Sequence, residues 1–365
     1  MGLQKSNNAA PTNKKVAKST LGYYKKLVWP EIERYLKDPV FPKHFKVSAK
    51  HKPLEKYHWK IAREYPERKG KYVRPTLVML VNAAMGGENK HTIKTAAAMQ
   101  LSEEWILIHD DIEDDSELRR GKPCLHKQYG MELAVNVGDT LQAVMWKILT
   151  DNLELLGVDK TFAITDEFHK IILRTTLGQS VDIKWIKENK HNTTNEDWFF
   201  IADTKSSYYS ISAPLRLGAI LADANKEQLH LLADFGLQLG RGWQLIDDIL
   251  DITSDFCGLK QRGNDIYEGK RTILLSHLLK NANGAKRDKV LKIVGKERKD
   301  KTNNEVEWVI SLMEKHGSID HAKKMAGRFR NNALEIFEND LKFLSRQPHR
   351  DNLRALTNFI FDRDH

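Results

Sequence analysis

Residues 109–115 read His-Asp-Asp-Ile-Glu-Asp-Asp, and residues 244–251 read Gln-Leu-Ile-Asp-Asp-Ile-Leu-Asp. Both stretches contain the spacing Asp-Asp-x-x-Asp. On an α-helix with about 3.6 residues per turn, carboxylates at positions i, i+1 and i+4 project from one side. Like charges at that spacing destabilise a helix by a few tenths of a kcal/mol per pair. Two copies of this unfavourable pattern predict a compensating ligand, a set of hard divalent cations held between two helices.

The sequence around both clusters has the periodicity of helices. Apolar residues recur at three- and four-residue intervals, and alternating strand patterns bounded by tight turns are missing. We therefore predict one all-α domain over residues 21–365, preceded by a disordered basic leader over residues 1–20. The clearest helical stretches are 75–84, 95–109, 131–149, 166–177 and 228–251.

Composition narrows the class of protein. The chain has 365 residues and a net charge of +10, with lysines concentrated before residue 30 and between residues 285 and 301. Both basic stretches are expected to be solvated, and no aromatic residues interleaved with arginines indicate nucleic-acid binding. Cys124 and Cys257 lack metal-type spacing, which favours a reducing, cytoplasmic location. No apolar run approaches about 18 residues, so no membrane span is predicted.

The aspartates suit magnesium chemistry. Magnesium prefers oxygen ligands and is usually held by one or two carboxylates, while substrate phosphates and waters complete its shell. An acidic solvent-facing surface is the alternative. Apolar residues precede both clusters, at 105–108 and 245–246, which favours the metal interpretation. The candidate ligands are Asp110, Asp111, Asp114, Asp247, Asp248 and Asp251.

Basic residues flank both clusters. Arginine offers planar forked donors that suit phosphate, and lysine supplies a point charge. Each residue alone is typical of an exposed surface, but together they indicate a site for two diphosphate groups, one bound through metal and one through cations. The basic residues in question are Lys71, Arg74, Arg119, Arg120, Lys205, Lys260 and Lys270, and the neutral Ser206 and Gln244 are further candidates for substrate binding.

Over about residues 65–363, the chain resembles trans-type isoprenyl (polyprenyl) diphosphate synthases, most closely geranylgeranyl diphosphate synthases. The resemblance lies in the order of the motifs as well as in their residues. The matching segments are Gly70-Lys71-x-x-Arg74-Pro75, 109–114 with 119–121, Gly138-Asp139, 177–179 with Asp182, Lys205-Ser206, 235–240, 244–251, Gly263-x-Asp265 and Glu268-Gly269-Lys270-x-Thr272.

The resemblance implies a helical bundle around a central cavity, usually a homodimer, that joins isopentenyl diphosphate to an allylic diphosphate. It implies about three magnesium ions on Asp110, Asp114 and Asp247. Lys71, Arg74 and Arg120 would hold isopentenyl diphosphate, and Arg119 and the lysines would hold the allylic diphosphate. The implied catalytic residues are Asp110, Asp111, Asp114, Lys205, Asp247 and Lys270.

Two departures and one pocket refine this expectation. The family usually has histidine or glutamine where this chain has Glu103, whose carboxylate would repel a diphosphate. We expect Glu103 to pair with Lys71 or Arg74, or to have a pKa raised by burial. Ser206 stands where the family usually has threonine. Trp105 and Ile106 match the floor of the growing-chain pocket, which favours geranylgeranyl diphosphate as the product, although Trp105 is also compatible with ordinary core packing.

Other products and classes remain as alternatives. A farnesyl or longer-chain product is compatible with the motifs. A class I terpene cyclase is less so, because the glutamate of its second motif is missing after Asp251. A non-catalytic synthase subunit is the other alternative, but such subunits tend to lose an aspartate motif and both are intact here.

Overall fold

The computed structural model describes residues 12–37, 46–254 and 261–362, and these are mostly helical. The α-helices are α1 (Asn13–Lys37), α2 (Lys52–Ala62), α3 (Glu64–Arg68), α4 (Val73–Ala84), α5 (Ile93–Glu113), α6 (Leu125–Tyr129), α7 (Met131–Thr150), α8 (Leu153–Lys187), α9 (Asn195–Ile201), α10 (Ala213–Leu221), α11 (Lys226–Thr253), α12 (Asn264–Glu268), α13 (Ile273–Asn281), α14 (Gly284–Val294), α15 (Asn303–Lys315), α16 (Ser318–Asn339) and α17 (His349–Phe361). The predicted all-α class is confirmed.

Shorter elements connect these helices. A π-helix, Ala202–Ser212, joins α9 to α10, and 3-10 turns cover Ala49–His51, Asn89–His91 and Arg298–Asp300. One small antiparallel hairpin, β1 (Leu118–Arg119) and β2 (Lys122–Pro123), follows the first aspartate cluster.

The helices that carry the aspartate clusters, α5 and α11, lie at the centre of the fold. Residues 95–102 of α5 are buried on every side, and the helix packs against α1, α4 and α7. Helix α11 begins with a capping box between Asn225 and Gln228 and packs against the π-helix and α16. Because both helices are central, each aspartate cluster lies on the inner side of the helical bundle.

Two glycines of α11 allow the π-helix to approach closely. A Cβ atom built on Gly236 would lie 2.5 Å from the Cα of Ser212, and one on Gly240 would lie 2.5 Å from the Cβ of Ser207. Any side chain at either position would push the two helices apart. This contact fixes the π-helix, which carries Lys205, beside the second aspartate cluster.

Two hydrophobic cores meet along α11. Its first half contributes Leu232 and Phe235 to the larger core, which also contains α1, α4, α5, α7 and α17. Its second half contributes Leu245 and Ile249 to a smaller core with α13 to α16. Within the described ranges, no helix combines the length and apolarity needed to cross a membrane.

Residues 13–20, part of the predicted disordered leader, are helical. Helix α1 begins at Asn13, so the disorder predicted for residues 13–20 is wrong. Ala17 is fully buried and Thr20 nearly so, because the helix packs against α17 and α5. Cys257 and Lys260 lie outside the described residues.

Candidate active site

The two aspartate clusters face one cleft. Asp110 and Asp114, near the end of α5, and Asp247 of α11 line a cavity of about 620 Å³. Arg119, Arg120 and Lys270 line the same cavity. The structure therefore brings together residues that are more than 130 positions apart in the chain, as the sequence predicted.

Lysines neutralise the carboxylates of this cleft. Lys270 Nζ lies 3.2 Å from Asp114 Oδ2, and it also contacts Glu268. Lys205 Nζ lies 3.0 Å from Asp182 Oδ2 and 3.7 Å from Asp110 Oδ1. Burial alone would lower the pKa of Lys270, but the charges of Asp114 and Glu268 raise it well above its usual value. Both lysines are consequently charged at neutral pH.

The pKa values of Asp110 and Asp114 shift in opposite directions. Burial and the charge of Asp114 raise the pKa of Asp110 to about 6, even though Lys205 opposes the shift. Burial would also raise the pKa of Asp114, but Lys270 and Lys205 lower it below its usual value. The charge of Asp114 opposes the ionisation of Asp110, and a cation bound between the two carboxylates would relieve that repulsion. They fit magnesium ions that share their shell with a substrate phosphate.

Protein ligands alone do not complete such a shell. Among the described residues, no three His, Cys, Asp or Glu side chains converge into a metal-binding group. This arrangement is compatible with magnesium, which commonly takes one or two carboxylates from the protein and the remaining oxygens from phosphates and water.

The other three predicted metal ligands do not line the cleft. Asp111 is fully buried and accepts hydrogen bonds from Arg119 Nε, at 3.1 Å, and from Tyr65. Asp248 accepts hydrogen bonds from Gln244 Nε2, at 2.8 Å, and from Trp198 Nε1, at 3.3 Å. These carboxylates hold neighbouring side chains in place.

Asp251 has a similar structural position. It is fully buried, and one of its carboxylate oxygens accepts a hydrogen bond from the backbone N–H of Asp265 at 2.9 Å. It thereby ties the end of α11 to the start of α12. Gln244 contacts Asp248 and does not line the cleft.

The residues predicted to hold the second diphosphate form a network with two glutamates. Arg74 Nη1 lies 3.1 Å from Glu103 Oε2, and Arg74 Nη2 donates to Ser210 Oγ at 2.8 Å. Arg120 Nη1 donates to Glu104 Oε2 at 2.8 Å, and its Nη2 lies 3.5 Å from Glu103 Oε1. The expected pairing of Glu103 with Arg74 is confirmed.

The alternative offered for Glu103, a pKa raised by burial, does not hold. Burial would raise this pKa, but Arg74 and Arg120 together lower it below its usual value. Glu104, which the sequence did not single out, behaves in the opposite way, because burial raises its pKa to about 7 despite Arg120. Lys71 is exposed and does not line the cleft.

An apolar cavity of about 260 Å³ extends from Asp110. Trp105 and Ile106, the predicted floor residues, both line it, as do Lys205 and Ser206. The hydroxyl of Ser206 donates to the carbonyl of Ala202 at 3.1 Å. A charged cleft that opens onto an apolar cavity suits a ligand with an anionic head and a hydrocarbon tail.

Some cleft residues were not foreseen as site residues. Glu268 and Asn264 of α12 and Arg298 also line the larger cavity. Glu268 directly precedes Gly269-Lys270, so its position in that motif was an available signal. Arg298 lies in the lysine-dense stretch and carried no signal, because its orientation depends on how that stretch folds over α12.

The comparisons with known proteins agree with this geometry. Residues 55–313 match the polyprenyl synthetase family. The geranylgeranyl diphosphate synthase of Sulfolobus acidocaldarius is 32% identical over 267 residues, which cover 73% of this chain and 79% of that protein. The geranylfarnesyl diphosphate synthase of Natronomonas pharaonis is 29% identical and covers 81% and 87%, respectively.

A solved structure has the same fold. The crystal structure of geranylgeranyl pyrophosphate synthetase from Pyrococcus horikoshii superposes with a TM-score of 0.78 at 29% identity, covering 95% of this chain and 98% of that one. The fold and the relatives define a prenyl-transferring enzyme. The chain belongs to the polyprenyl synthetase family, and it is an isoprenyl diphosphate synthase.

Proposed function

We propose that this enzyme condenses isopentenyl diphosphate with allylic diphosphates to make trans-geranylgeranyl diphosphate, with magnesium as the cofactor. The observation that supports it most is that Asp110, Asp114 and Asp247 line one cleft together with Arg119 and Lys270. Geranylgeranyl diphosphate synthases among the relatives support the choice of product.

Asp110, Asp114 and Asp247 would hold the magnesium ions, whose positive charge would stabilise the leaving diphosphate. Lys205 and Lys270 add fixed positive charge beside the same carboxylates. Charges arranged before the reaction stabilise the leaving group without reorganisation at the moment of bond cleavage.

The apolar cavity would hold the hydrocarbon part of the allylic substrate. Its position next to Asp110 puts the reacting carbon at the boundary between charged and apolar surroundings. Exclusion of water there would protect the allylic carbocation until the double bond of isopentenyl diphosphate attacks it, and the released pyrophosphate would then take up the proton lost from the new cation. Trp105 and Ile106 line this cavity and would limit the length of the product.

Arg74 and Arg120, assisted by Lys71, would bind isopentenyl diphosphate. Arg74 Nη2 lies 2.8 Å from the Ser210 hydroxyl, and Ser210 also lines the apolar cavity. The second substrate would therefore reach the allylic carbon from the side of the π-helix. The carboxylate of Glu103 already forms ion pairs with both arginines.

We also propose a cytoplasmic homodimer. Four apolar residues of α8, Val158, Phe162, Leu173 and Leu177, are each at least half exposed. At about 100° per residue they lie within one third of the helix circumference. An exposed apolar stripe of this kind is typical of a protein–protein interface.

A single incubation tests the proposed reaction. Purified protein is supplied with labelled isopentenyl diphosphate, farnesyl diphosphate and magnesium, and the products are separated by chromatography. We expect a labelled allylic diphosphate longer by one isoprene unit and no product when EDTA is present. A hydrocarbon with released pyrophosphate would show a cyclase. No turnover in the mixture of both substrates with magnesium would contradict the proposal.

A further inference from the structure

The lysine-dense segment 285–301 is not uniformly solvent-facing. Lys299 is exposed and pairs with Glu297, as expected for a solvated basic surface. Arg298, the residue before it, has a side chain that is only 11% exposed and lines the diphosphate cleft. Lys301 is also buried, and its ammonium donates to the carbonyl of Tyr267 at 2.7 Å. The 3-10 turn at residues 298–300 therefore directs alternate cations inward and outward.

Arg298 is held with its guanidinium group at the cleft wall. Its Nη2 donates to Asn264 Oδ1 at 2.6 Å, and its Nη1 lies 3.4 Å from Glu268 Oε1. The same carboxylate group contacts Lys270, and Ser116 Oγ donates to it at 3.3 Å. The carboxylate of Glu268 therefore contacts both cations and holds the Arg298 guanidinium group next to the Lys270 ammonium group.

Two further cations lie buried behind this part of the wall. Arg271 and Lys301 are both buried, and the hydrogen bonds they make to the protein go to carbonyl and amide oxygens. Burial, together with the charges of Arg271 and Arg298, lowers the pKa of Lys301 to about 8. The charges of Glu268 and Asp182 offset the burial of Lys301 and Arg271 only in part, and a further anion nearby would stabilise both cations. The open side of the wall, where such an anion would fit, is the cleft that Asp114 and Asp247 line.

From this arrangement we propose that Arg298 is a diphosphate-binding residue of the allylic site, where it supplies a forked cation next to Lys270. The inference rests on the proposed function. A phosphate oxygen of the substrate would accept a hydrogen bond from one guanidinium N–H group of Arg298. The hydrogen bond from Nη2 to Asn264 would hold the guanidinium group in position. Arginine suits this role because its donors are planar and its charge does not depend on pH.

Binding of inorganic pyrophosphate with magnesium tests the proposal by calorimetry, independently of turnover. We compare Arg298→Gln with Lys299→Gln, which removes the same charge from the next, outward-facing position. We expect Arg298→Gln to weaken pyrophosphate binding by about tenfold, as for the loss of a charged hydrogen bond, and Lys299→Gln to change it by less than about twofold. In steady-state assays, Arg298→Gln raises the KM for the allylic diphosphate by about the same factor and leaves the KM for isopentenyl diphosphate unchanged.

Equal pyrophosphate affinity of Arg298→Gln and the wild type would overturn the inference, even if the variant melts at a lower temperature. Arg298→Lys covers the case in which the glutamine variant does not fold. It keeps the charge and loses the fork, so we expect roughly threefold weaker binding, and unchanged affinity overturns the proposal. A wild-type protein that fails to bind magnesium pyrophosphate contradicts the proposed function itself, whereas a difference confined to Arg298 variants does not.

Discussion

Arg74, proposed to bind isopentenyl diphosphate, points a guanidinium nitrogen at Glu103, with 3.1 Å between Nη1 and Oε2. Arg120 reaches the other oxygen of the same carboxylate at 3.5 Å. The two arginines that are suited to bind a diphosphate are therefore already engaged by an anion of the protein. A diphosphate that enters this pocket competes with Glu103 for both of them.

Replacement of Glu103 by glutamine is expected to tighten isopentenyl diphosphate binding. The amide keeps the shape and one acceptor but removes the charge that competes for Arg74. We expect the KM for isopentenyl diphosphate to fall by about threefold to tenfold, with kcat changed less, because a charged hydrogen bond is released for the substrate. Glu67→Gln, which alters a surface pair with Arg63, serves as the control. A higher KM in Glu103→Gln would show that the carboxylate assists binding.

Replacement of Asp110 or Asp247 by asparagine is expected to lower kcat by about a thousandfold. Each change keeps the size of the side chain but removes a hard anionic ligand at the point where charge develops. Asp115→Asn is the matched control, since Asp115 belongs to the same cluster but is exposed and pairs with Lys127. Circular dichroism should show wild-type folding in all three variants. Near-normal turnover by Asp110→Asn or Asp247→Asn would contradict their assignment as metal ligands.

Trp105→Ala is expected to lengthen the product. Trp105 is 6% exposed and lines the apolar cavity, so its truncation extends the space available to a growing chain. Chromatography of the dephosphorylated products measures the shift. Trp146→Ala provides the control, because Trp146 packs against His169 and does not line the cavity. An unchanged product distribution in Trp105→Ala would show that this tryptophan only fills the core.

The pKa of Glu104 predicts how stability depends on pH. Burial raises this pKa to about 7, from an ordinary value of 4.5. Between these values the native state binds more protons at this position than the unfolded state, so the contribution of Glu104 to the free energy of unfolding falls as pH rises. Over that window the decrease is on the order of 3 kcal/mol.

Urea unfolding at a series of pH values tests this dependence. We expect Glu104→Gln to remove much of the loss of stability between about pH 4.5 and pH 7. The wild type and the variant should therefore differ in slope as well as in absolute stability. Parallel curves would show that Glu104 is ionised throughout this range, held in that state by Arg120.

Leu173→Lys tests the proposed dimer. Leu173 is 70% exposed and belongs to the apolar stripe of α8, so a charge there would be buried without a partner in a dimer. Light scattering should show a change from two chains to one. Leu54→Lys, at a residue that is 64% exposed on α2, should leave the molar mass unchanged. A wild-type molar mass equal to one chain would contradict the dimer itself.

The helical architecture could be predicted from the sequence because its signals are local. The apolar spacing in residues 95–109 and 228–251 specifies helices that the structure extends to Ile93–Glu113 and Lys226–Thr253. The leader was the exception. Its lysines indicated solvation, but Ala17 and Thr20 are buried by α17 and α5, which are distant in the sequence.

The clusters themselves show what a motif leaves open. The repeated spacing of the aspartates, and the basic motifs near them, were enough to predict a metal-dependent diphosphate site. They could not distinguish Asp110, which faces the cleft, from Asp111, which faces Arg119 and Tyr65. Adjacent positions on a helix point about 100° apart, and the packing around the helix decides which of them faces the cavity.

By itself, the sequence determined the class of fold, the family and the chemistry, since helical periodicity and the order of charged motifs are properties of the chain. The tertiary structure decided which carboxylates face the cleft. It also pairs Glu103 and Glu104 with Arg74 and Arg120, the arginines proposed to bind isopentenyl diphosphate. It turns Arg298 inward and Lys299 outward. These features depend on contacts between residues far apart in the sequence, where burial and neighbouring charges set orientation and pKa together.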